Sequence, residues 1–321
     1  MNKLVAFALA LLAANASAVP HDLASLEPIV IEQLREAERN AERTTSDPTL
    51  NAADKASRVG MLGHLYHTYD LLDVAADAYA KASKFDAKSF VWPYASGVVA
   101  GKQRDYNKAS EYFQRARLQA ETVNQRYLAN IRLGETYSSL NDPDNALIAY
   151  SIALELGTGG AAVHARLGEL YLATADYEKS ISHLTRALSI NPKANQLHYA
   201  LALAHRGLGN RDLVVHHLSR RGKVTSAPAD PLPSYLDSLL KGYRGHIVAG
   251  RIALSGERYA EAGESLNKAI AADASQSYAW VLLAEANVGQ NKLQEAVTNL
   301  EEALRVNPAD LTASSILGNL L

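Results

Sequence analysis

Alanines recur along this 321-residue chain at intervals close to 34 residues, and this repeat constrains the fold more than any other feature. The gaps between the successive alanines of this register are 34, 37, 34, 82 and 34 residues. The gap of 82 divides into 34 and 48 when Arg221 takes the alanine position of a degenerate copy. The alanines that define this register are Ala82, Ala116, Ala153, Ala187, Ala269 and Ala303.

Two further positions keep the same register. Each copy has a large apolar residue shortly before its alanine, and a glycine or alanine upstream of both. The large residues are Tyr79, Phe113, Tyr150, Leu184, Leu218, Leu266 and Leu300, and the upstream small residues are Gly63, Gly97, Gly134, Gly168, Ala202, Gly250 and Ala284. Antiparallel helices whose axes are about 8–10 Å apart need small residues where they cross. The pattern therefore predicts helical hairpins, each of which buries its apolar face only against its neighbours.

The pattern resembles that of tetratricopeptide repeat (TPR) proteins, W-x-x-L-G-x-x-Y…A-x-x-x-F…A…P. The best matches are Leu133-Gly134 with Tyr137, Leu167-Gly168 with Tyr171, and Trp280 with Leu283. The resemblance covers about residues 56–321. It implies an all-α TPR superhelical solenoid of about seven helix-turn-helix repeats with a short C-terminal capping helix. The copies begin near residues 56, 90, 127, 161, 195, 243 and 277.

The first eighteen residues have the pattern of a signal peptide. Met1 to Lys3 carry a positive charge, Leu4 to Ala14 are apolar, and Ala16-Ser17-Ala18 supply small residues for cleavage after Ala18. Eleven apolar residues are too few for a membrane anchor. We therefore expect a periplasmic or secreted protein without a membrane anchor.

Composition shifts divide the rest of the chain. Leu26, Val30 and Leu34 recur at helical spacing, which predicts a capping helix over residues 25–43 with Ser25 as its N-cap. Three prolines follow the fifth repeat, and we expect an extended loop there. The predicted organisation is a signal peptide (1–18), a capping helix and linker (19–55), five repeats (56–222), a Pro-rich insert (223–236), and two and a half repeats (237–321).

Composition and motifs exclude several classes of function. The formal net charge of −2 argues against nucleic-acid binding, which requires a basic surface. The chain has no cysteine, which excludes disulfides, thiolate nucleophiles and cysteine-based zinc sites. It contains neither a G-x-S-x-G nor an H-E-x-x-H motif. The sequence therefore indicates a protein that is not an enzyme and holds no cofactor.

The TPR resemblance implies that the first helix of each repeat lines a concave groove, which binds a protein or peptide partner. The residues placed in this groove by their position in the repeat are His64, His67, Tyr94, Lys102, Glu135, Glu169, Tyr199, Arg206, Arg244, Arg251, Tyr278 and Glu285. Tyrosine and arginine are frequent energetic anchors of protein interfaces. The alternative is that these residues belong to ordinary solvated helix faces.

Charge favours an acidic partner. Residues 204–258 contain nine basic and four acidic side chains, and Arg206, Arg244 and Arg251 are among the predicted groove residues. Such a stretch can bind an acidic segment or a terminal carboxylate by charge-assisted hydrogen bonds. A well-solvated basic surface is the alternative.

A histidine pair leaves a second function open. His64 and His67 are three residues apart on one helix and could both bind a metal ion, with Asp70 as the nearest carboxylate. No neighbouring His or Cys pair completes a closed site. The main hypothesis is a non-catalytic periplasmic scaffold for assembly of an envelope complex, and the alternative is a metal- or cofactor-delivery chaperone that uses these histidines.

Overall fold

The computed structural model describes residues 26–157 and 160–321, and these residues form seventeen helices and no strand. The signal peptide and Ser25 lie outside the described residues, as do Thr158 and Gly159. The helices are α1 (Pro28–Ser46), α2 (Ala52–Thr68), α3 (Leu72–Phe85), α4 (Val91–Lys102), α5 (Tyr106–Leu118), α6 (Val123–Ser139), α7 (Pro143–Glu155), α8 (Gly160–Ala173), α9 (Tyr177–Ile190), α10 (Leu197–Gly207), α11 (Arg211–Leu218), α12 (Pro231–Ser238), α13 (Gly242–Ser255), α14 (Tyr259–Ala272), α15 (Ser277–Gly289), α16 (Leu293–Val306) and α17 (Leu311–Leu320).

Fourteen of these helices pair as seven hairpins, from α2 with α3 through α10 with α11, then α13 with α14 and α15 with α16. The helix α17 follows the seventh hairpin and packs against α16. The predicted all-α array of seven helix-turn-helix repeats with a C-terminal helix is therefore confirmed. Among the described helices, none has the length and apolarity needed to cross a membrane.

Small residues let the two helices of a hairpin approach each other, as the repeat pattern predicts. A Cβ atom added to Gly168 would lie 2.6 Å from Cγ of Leu184, and one added to Gly63 would lie 2.7 Å from the ring of Tyr79. Leu184 and Tyr79 are fully buried. Six of the seven hairpins bury their large apolar residue, whereas Leu218 of the fifth is only half-buried.

The turn inside each hairpin has one conformation. A residue with φ between 56° and 76° ends the first helix. The next backbone N–H then donates, over 2.8–2.9 Å, to a carbonyl five residues earlier, as in a Schellman motif. The left-handed residues are Asp70, Arg104, Asn141, Ala175, Gly209, Glu257 and Asn291. These positions follow the repeat register, although only one of them is glycine.

The chain divides into two compact units. One comprises residues 40–238 and holds the first five hairpins. The other comprises residues up to 39 together with 239–321, and it holds the last two hairpins and α17. In this second unit the Glu27 carboxylate accepts hydrogen bonds from the backbone N–H of Tyr243, over 2.9 and 3.0 Å. The capping helix begins at Pro28 rather than residue 25, and proline is favoured at the first helical position.

The Pro-rich insert differs from the extended loop expected from its sequence. It contains most of α12, an eight-residue helix that begins at Pro231. The side chain of Asp230 accepts a hydrogen bond from the backbone N–H of Leu232 over 3.0 Å. An aspartate before the helix and a proline at its first position are both favoured at helix starts, which explains why a proline-containing segment forms a helix here.

Candidate functional site

The first helices of the hairpins form one face of the 40–238 unit, which we call the first-helix face and define by α2, α4, α6 and α8. A cavity of about 400 Å³ lies between α6 and α8 and is lined by Glu135, Arg166, Glu169 and Thr174, among others. A second cavity of about 290 Å³ lies between α4 and α6. This face therefore offers both open space and charged side chains.

A chain of ion pairs crosses the first-helix face. Arg132 pairs with Glu135 over 2.9 Å, Glu135 pairs with Arg166 over 2.9 Å, and Arg166 pairs with Glu169 over 3.0 Å. Burial opposes the charge on Arg166, but Glu135 and Glu169 outweigh it and raise the pKa of the guanidinium. Glu135 and Glu169, both predicted for the groove, thus lie on the same face, and the arginines between them were not predicted.

A carboxylate site lies at one end of this chain of ion pairs. Oδ2 of Asp230 accepts hydrogen bonds from Nη2 of Arg132 and from the hydroxyl of Tyr94, each over 2.6 Å. Nε of Arg132 also donates to the Tyr94 hydroxyl over 3.2 Å. The side chain of Asp230 is only 4% exposed. Burial raises the pKa of Tyr94, so its hydroxyl stays protonated and can donate to the carboxylate.

His64 and His67 are buried rather than open to a groove, which corrects the expectation from their position in the repeat. Nδ1 of His64 lies 2.9 Å from the Tyr79 hydroxyl, and Nδ1 of His67 lies 3.3 Å from it. Burial lowers the pKa of both histidines to about 4. The Nδ1 atoms are thus directed at Tyr79 rather than at a common ligand. Within the part of the chain that the structure describes, no three metal-ligating side chains converge.

Of the remaining predicted residues, Lys102 lines the second cavity together with Arg132 and Glu135. Lys102 pairs with Asp70 over 3.1 Å at the edge of α4. Tyr199 and Arg206 lie exposed on α10 of the same unit. In the other unit, the predicted residues Arg244, Arg251, Tyr278 and Glu285 are all exposed.

Sequence reasoning missed Arg132, Arg166 and Asp230. A signal existed for the two arginines, because the four-residue sequence Arg-Leu-Gly-Glu occurs at 132–135 and again at 166–169, one repeat apart. Two residues of opposite charge at this spacing lie on one face of a helix. No comparable signal existed for Asp230, which is 98 residues from Arg132 and lies in the insert.

Comparisons with known proteins agree with this architecture. Models described as tetratricopeptide repeat match residues 161–194, and also residues 94–161, 247–305 and 281–321. None of the curated proteins matches this chain.

The solved structures that match this chain include BtubC, MamA and YrrB. BtubC from P. vanneervenii is 16% identical, and the match covers 60% of this chain and 90% of that chain with a TM-score of 0.51. MamA is 23% identical over 51% and 88% of the two chains, with a TM-score of 0.47. YrrB, a TPR protein described as having an unusual peptide-binding site, is 18% identical over 58% and 91%, with a TM-score of 0.45. The BtubC likeness concerns the fold alone.

The matched segments 94–194 and 247–321 together make up more than half of the chain. They carry the small and large residues that pack the hairpins of the structure. The chain belongs to the tetratricopeptide repeat family.

Proposed function

We propose that this protein is a non-catalytic, exported scaffold that binds an acidic segment of a partner protein and takes part in assembling a complex of the bacterial envelope. The proposal of export is based on the sequence of residues 1–18. The general role in protein–protein interaction follows from membership of a repeat family whose stacked helices present extended binding surfaces.

The observation that carries the binding proposal is the arginine-containing first-helix face. Arg132 holds a carboxylate there, and Arg166 borders an open cavity of about 400 Å³ on the same face. Arginine forms charge-assisted hydrogen bonds to carboxylates, which are about twice as strong as neutral ones. Nε and Nη1 of Arg166 already donate to Glu135 and Glu169, and Asp142 also lines the cavity. An acidic side chain of a partner must therefore compete with these carboxylates for the guanidinium.

Site-specific photocrosslinking in intact cells tests this proposal. A photoreactive amino acid at Thr174, which lines the cavity and is exposed, should capture a partner. The same group at Leu118, which is 83% exposed at the end of a second helix, serves as the control. Adding Arg166→Glu should abolish the crosslink, whereas Arg115→Glu on the exposed side of α5 should leave it unchanged.

Equal crosslinking from Thr174 and Leu118, or a crosslink that survives Arg166→Glu, would show that the partner binds elsewhere. Fractionation of the same cells tests export, since the processed chain should appear in the periplasm or the medium. Retention of an uncleaved chain inside the cell would contradict that part of the proposal.

A further inference from the structure

The insert contacts the first-helix face at more than the carboxylate of Asp230. The ring of Tyr235 meets the ring of His64 edge-on, with 5.1 Å between the ring centroids. The backbone carbonyl of Leu236 accepts a hydrogen bond from the Thr68 hydroxyl over 3.1 Å. Leu232, which lies between Asp230 and Tyr235 in the sequence, is buried. Residues 230–236 of the insert thus supply an acid, a buried apolar side chain, an aromatic ring and a backbone carbonyl.

These contacts reach three successive first helices. His64 and Thr68 lie on α2, Tyr94 on α4 and Arg132 on α6. The insert belongs to none of the hairpins, and the hairpin cores are formed without it by pairs such as Gly63 with Tyr79. A segment outside the repeats therefore covers side chains that also pack within the repeats, since His64 contacts Tyr79 and Tyr94 contacts Phe113.

The helix α12 depends on this surface. An isolated helix of eight residues is unstable in water, because nucleation costs more than so few hydrogen bonds return. Asp230 both begins this helix and forms the buried ion pair with Arg132. A buried carboxylate is tolerated only when it is paired and fully hydrogen-bonded, so Arg132 and Tyr94 select an acidic residue at this point. Loss of the ion pair should therefore release the whole segment.

We propose that the insert is the chain's own ligand in a peptide-binding site on α2, α4 and α6. The external ligand has the same chemistry: an aspartate at the start of a short helix, an apolar residue two positions later and an aromatic residue five positions later. A partner segment of this kind displaces the insert. This inference rests on the proposed function, since it specifies which acidic segment binds the first-helix face.

The test uses the full chain and a synthetic peptide that reproduces residues 226–238. Asp230→Asn removes the anchor of the insert and keeps its shape, and Asp237→Asn is the matched control, because Asp237 lies exposed on the same helix. The peptide should bind the Asp230→Asn protein at least tenfold more tightly than it binds the wild-type or Asp237→Asn protein. A peptide with asparagine in place of the aspartate equivalent to Asp230 should bind at least tenfold more weakly. Adding Arg132→Gln to Asp230→Asn should abolish binding.

A second measurement needs no variant of the protein. The competing peptide carries phenylalanine in place of Tyr235, so that its fragments differ in mass from those of the insert. An excess of this peptide should increase hydrogen exchange within the insert of the wild-type chain.

Equal peptide affinity for the three proteins, equal affinity for the two peptides, or unchanged exchange in the insert would overturn the inference. Those results would leave the proposed function standing if the Thr174 crosslink were still lost with Arg166→Glu. Absence of that crosslink alongside tight peptide binding would refute the proposed partner site and retain the self-ligand.

Discussion

The fourth and fifth repeats have the same register but differ in packing. In the fourth, α8 and α9 are each fourteen residues long and Leu184 is fully buried. In the fifth, α11 has only eight residues, none of them buried, and Val215 is 69% exposed. The insert follows, and near its start the carbonyl of Val224 accepts a hydrogen bond from the backbone N–H of Gln196 over 3.1 Å. The comparison suggests that a shortened hairpin frees a segment to act as a ligand.

The largest expected difference between these repeats concerns their equivalent leucines, Leu184 and Leu218. Leu184→Ala should reduce the free energy of unfolding by about 2–5 kcal/mol, because it leaves a cavity in a closed core. Leu218→Ala should cost less than about 1 kcal/mol, because its neighbours can relax into solvent. Urea denaturation measures both values, and similar losses would mean that the fifth hairpin is packed as well as the fourth.

Acidification should distinguish buried histidines from partly exposed ones. The pKa of His67 is lowered to about 4 in the fold, mainly by burial, while an unfolded histidine titrates near 6.5. The stability that His67 provides is therefore complete above pH 6.5 and is lost as the pH falls toward 4. His64 behaves in the same way, and each histidine contributes on the order of 3 kcal/mol to this loss.

Thermal unfolding at pH 7 and pH 4.5 tests this expectation. His67→Gln should flatten the pH dependence. His217→Gln in the fifth repeat should do so less: its pKa is also lowered to about 4, by burial and by His198 and His205, but His217 is partly exposed and solvent screens these charges. Leu184→Ala is the control, because it lowers the stability without removing a titratable group. Its melting temperature should depend on pH as strongly as that of the wild-type protein. If His67→Gln left the pH dependence of the melting temperature unchanged, the lowered pKa of His67 would be contradicted.

The left-handed turn position holds alanine in the fourth repeat and glycine in the fifth, so the two residue types can be exchanged. Ala175 has φ of 60° in the fourth, and Gly209 has φ of 76° at the equivalent position of the fifth. Only glycine adopts this conformation without a steric penalty of about 1–2 kcal/mol. Ala175→Gly should raise the melting temperature and Gly209→Ala should lower it. Shifts of the same sign in calorimetry would refute this account of the turns.

The smallest expected difference concerns helix starts. Thr122 and Gln125 form a capping box at the start of α6, whereas Asn210 at the start of α11 makes no side-chain capping bond. Thr122→Ala should cost about 1 kcal/mol. Asn210→Ala should cost only about a few tenths, since no capping bond is lost and the side chain of Asn210 makes only a long contact of 3.4 Å with Nδ1 of His205. A larger loss at Asn210 in urea denaturation would indicate a cap that the structure does not have.

The sequence predicts the hairpins well because their packing is local and periodic. Gly168 and Leu184 are sixteen residues apart, and a fixed spacing identifies both of them. The same reasoning finds the face on which Glu135 and Glu169 lie. Spacing cannot show that Asp230 returns to Arg132 and Tyr94, because that contact depends on where an aperiodic segment leads. Spacing also could not show that His67 is buried beside the Tyr79 hydroxyl.

The most direct test of the account is hydrogen exchange across residues 223–238 in the wild-type, Asp230→Asn and Asp237→Asn proteins. If the ion pair with Arg132 holds the insert on the first-helix face, the backbone of α12 is protected in the wild-type and Asp237→Asn chains and exchanges rapidly in Asp230→Asn. Slow exchange in all three chains, or rapid exchange in all three, would contradict the account.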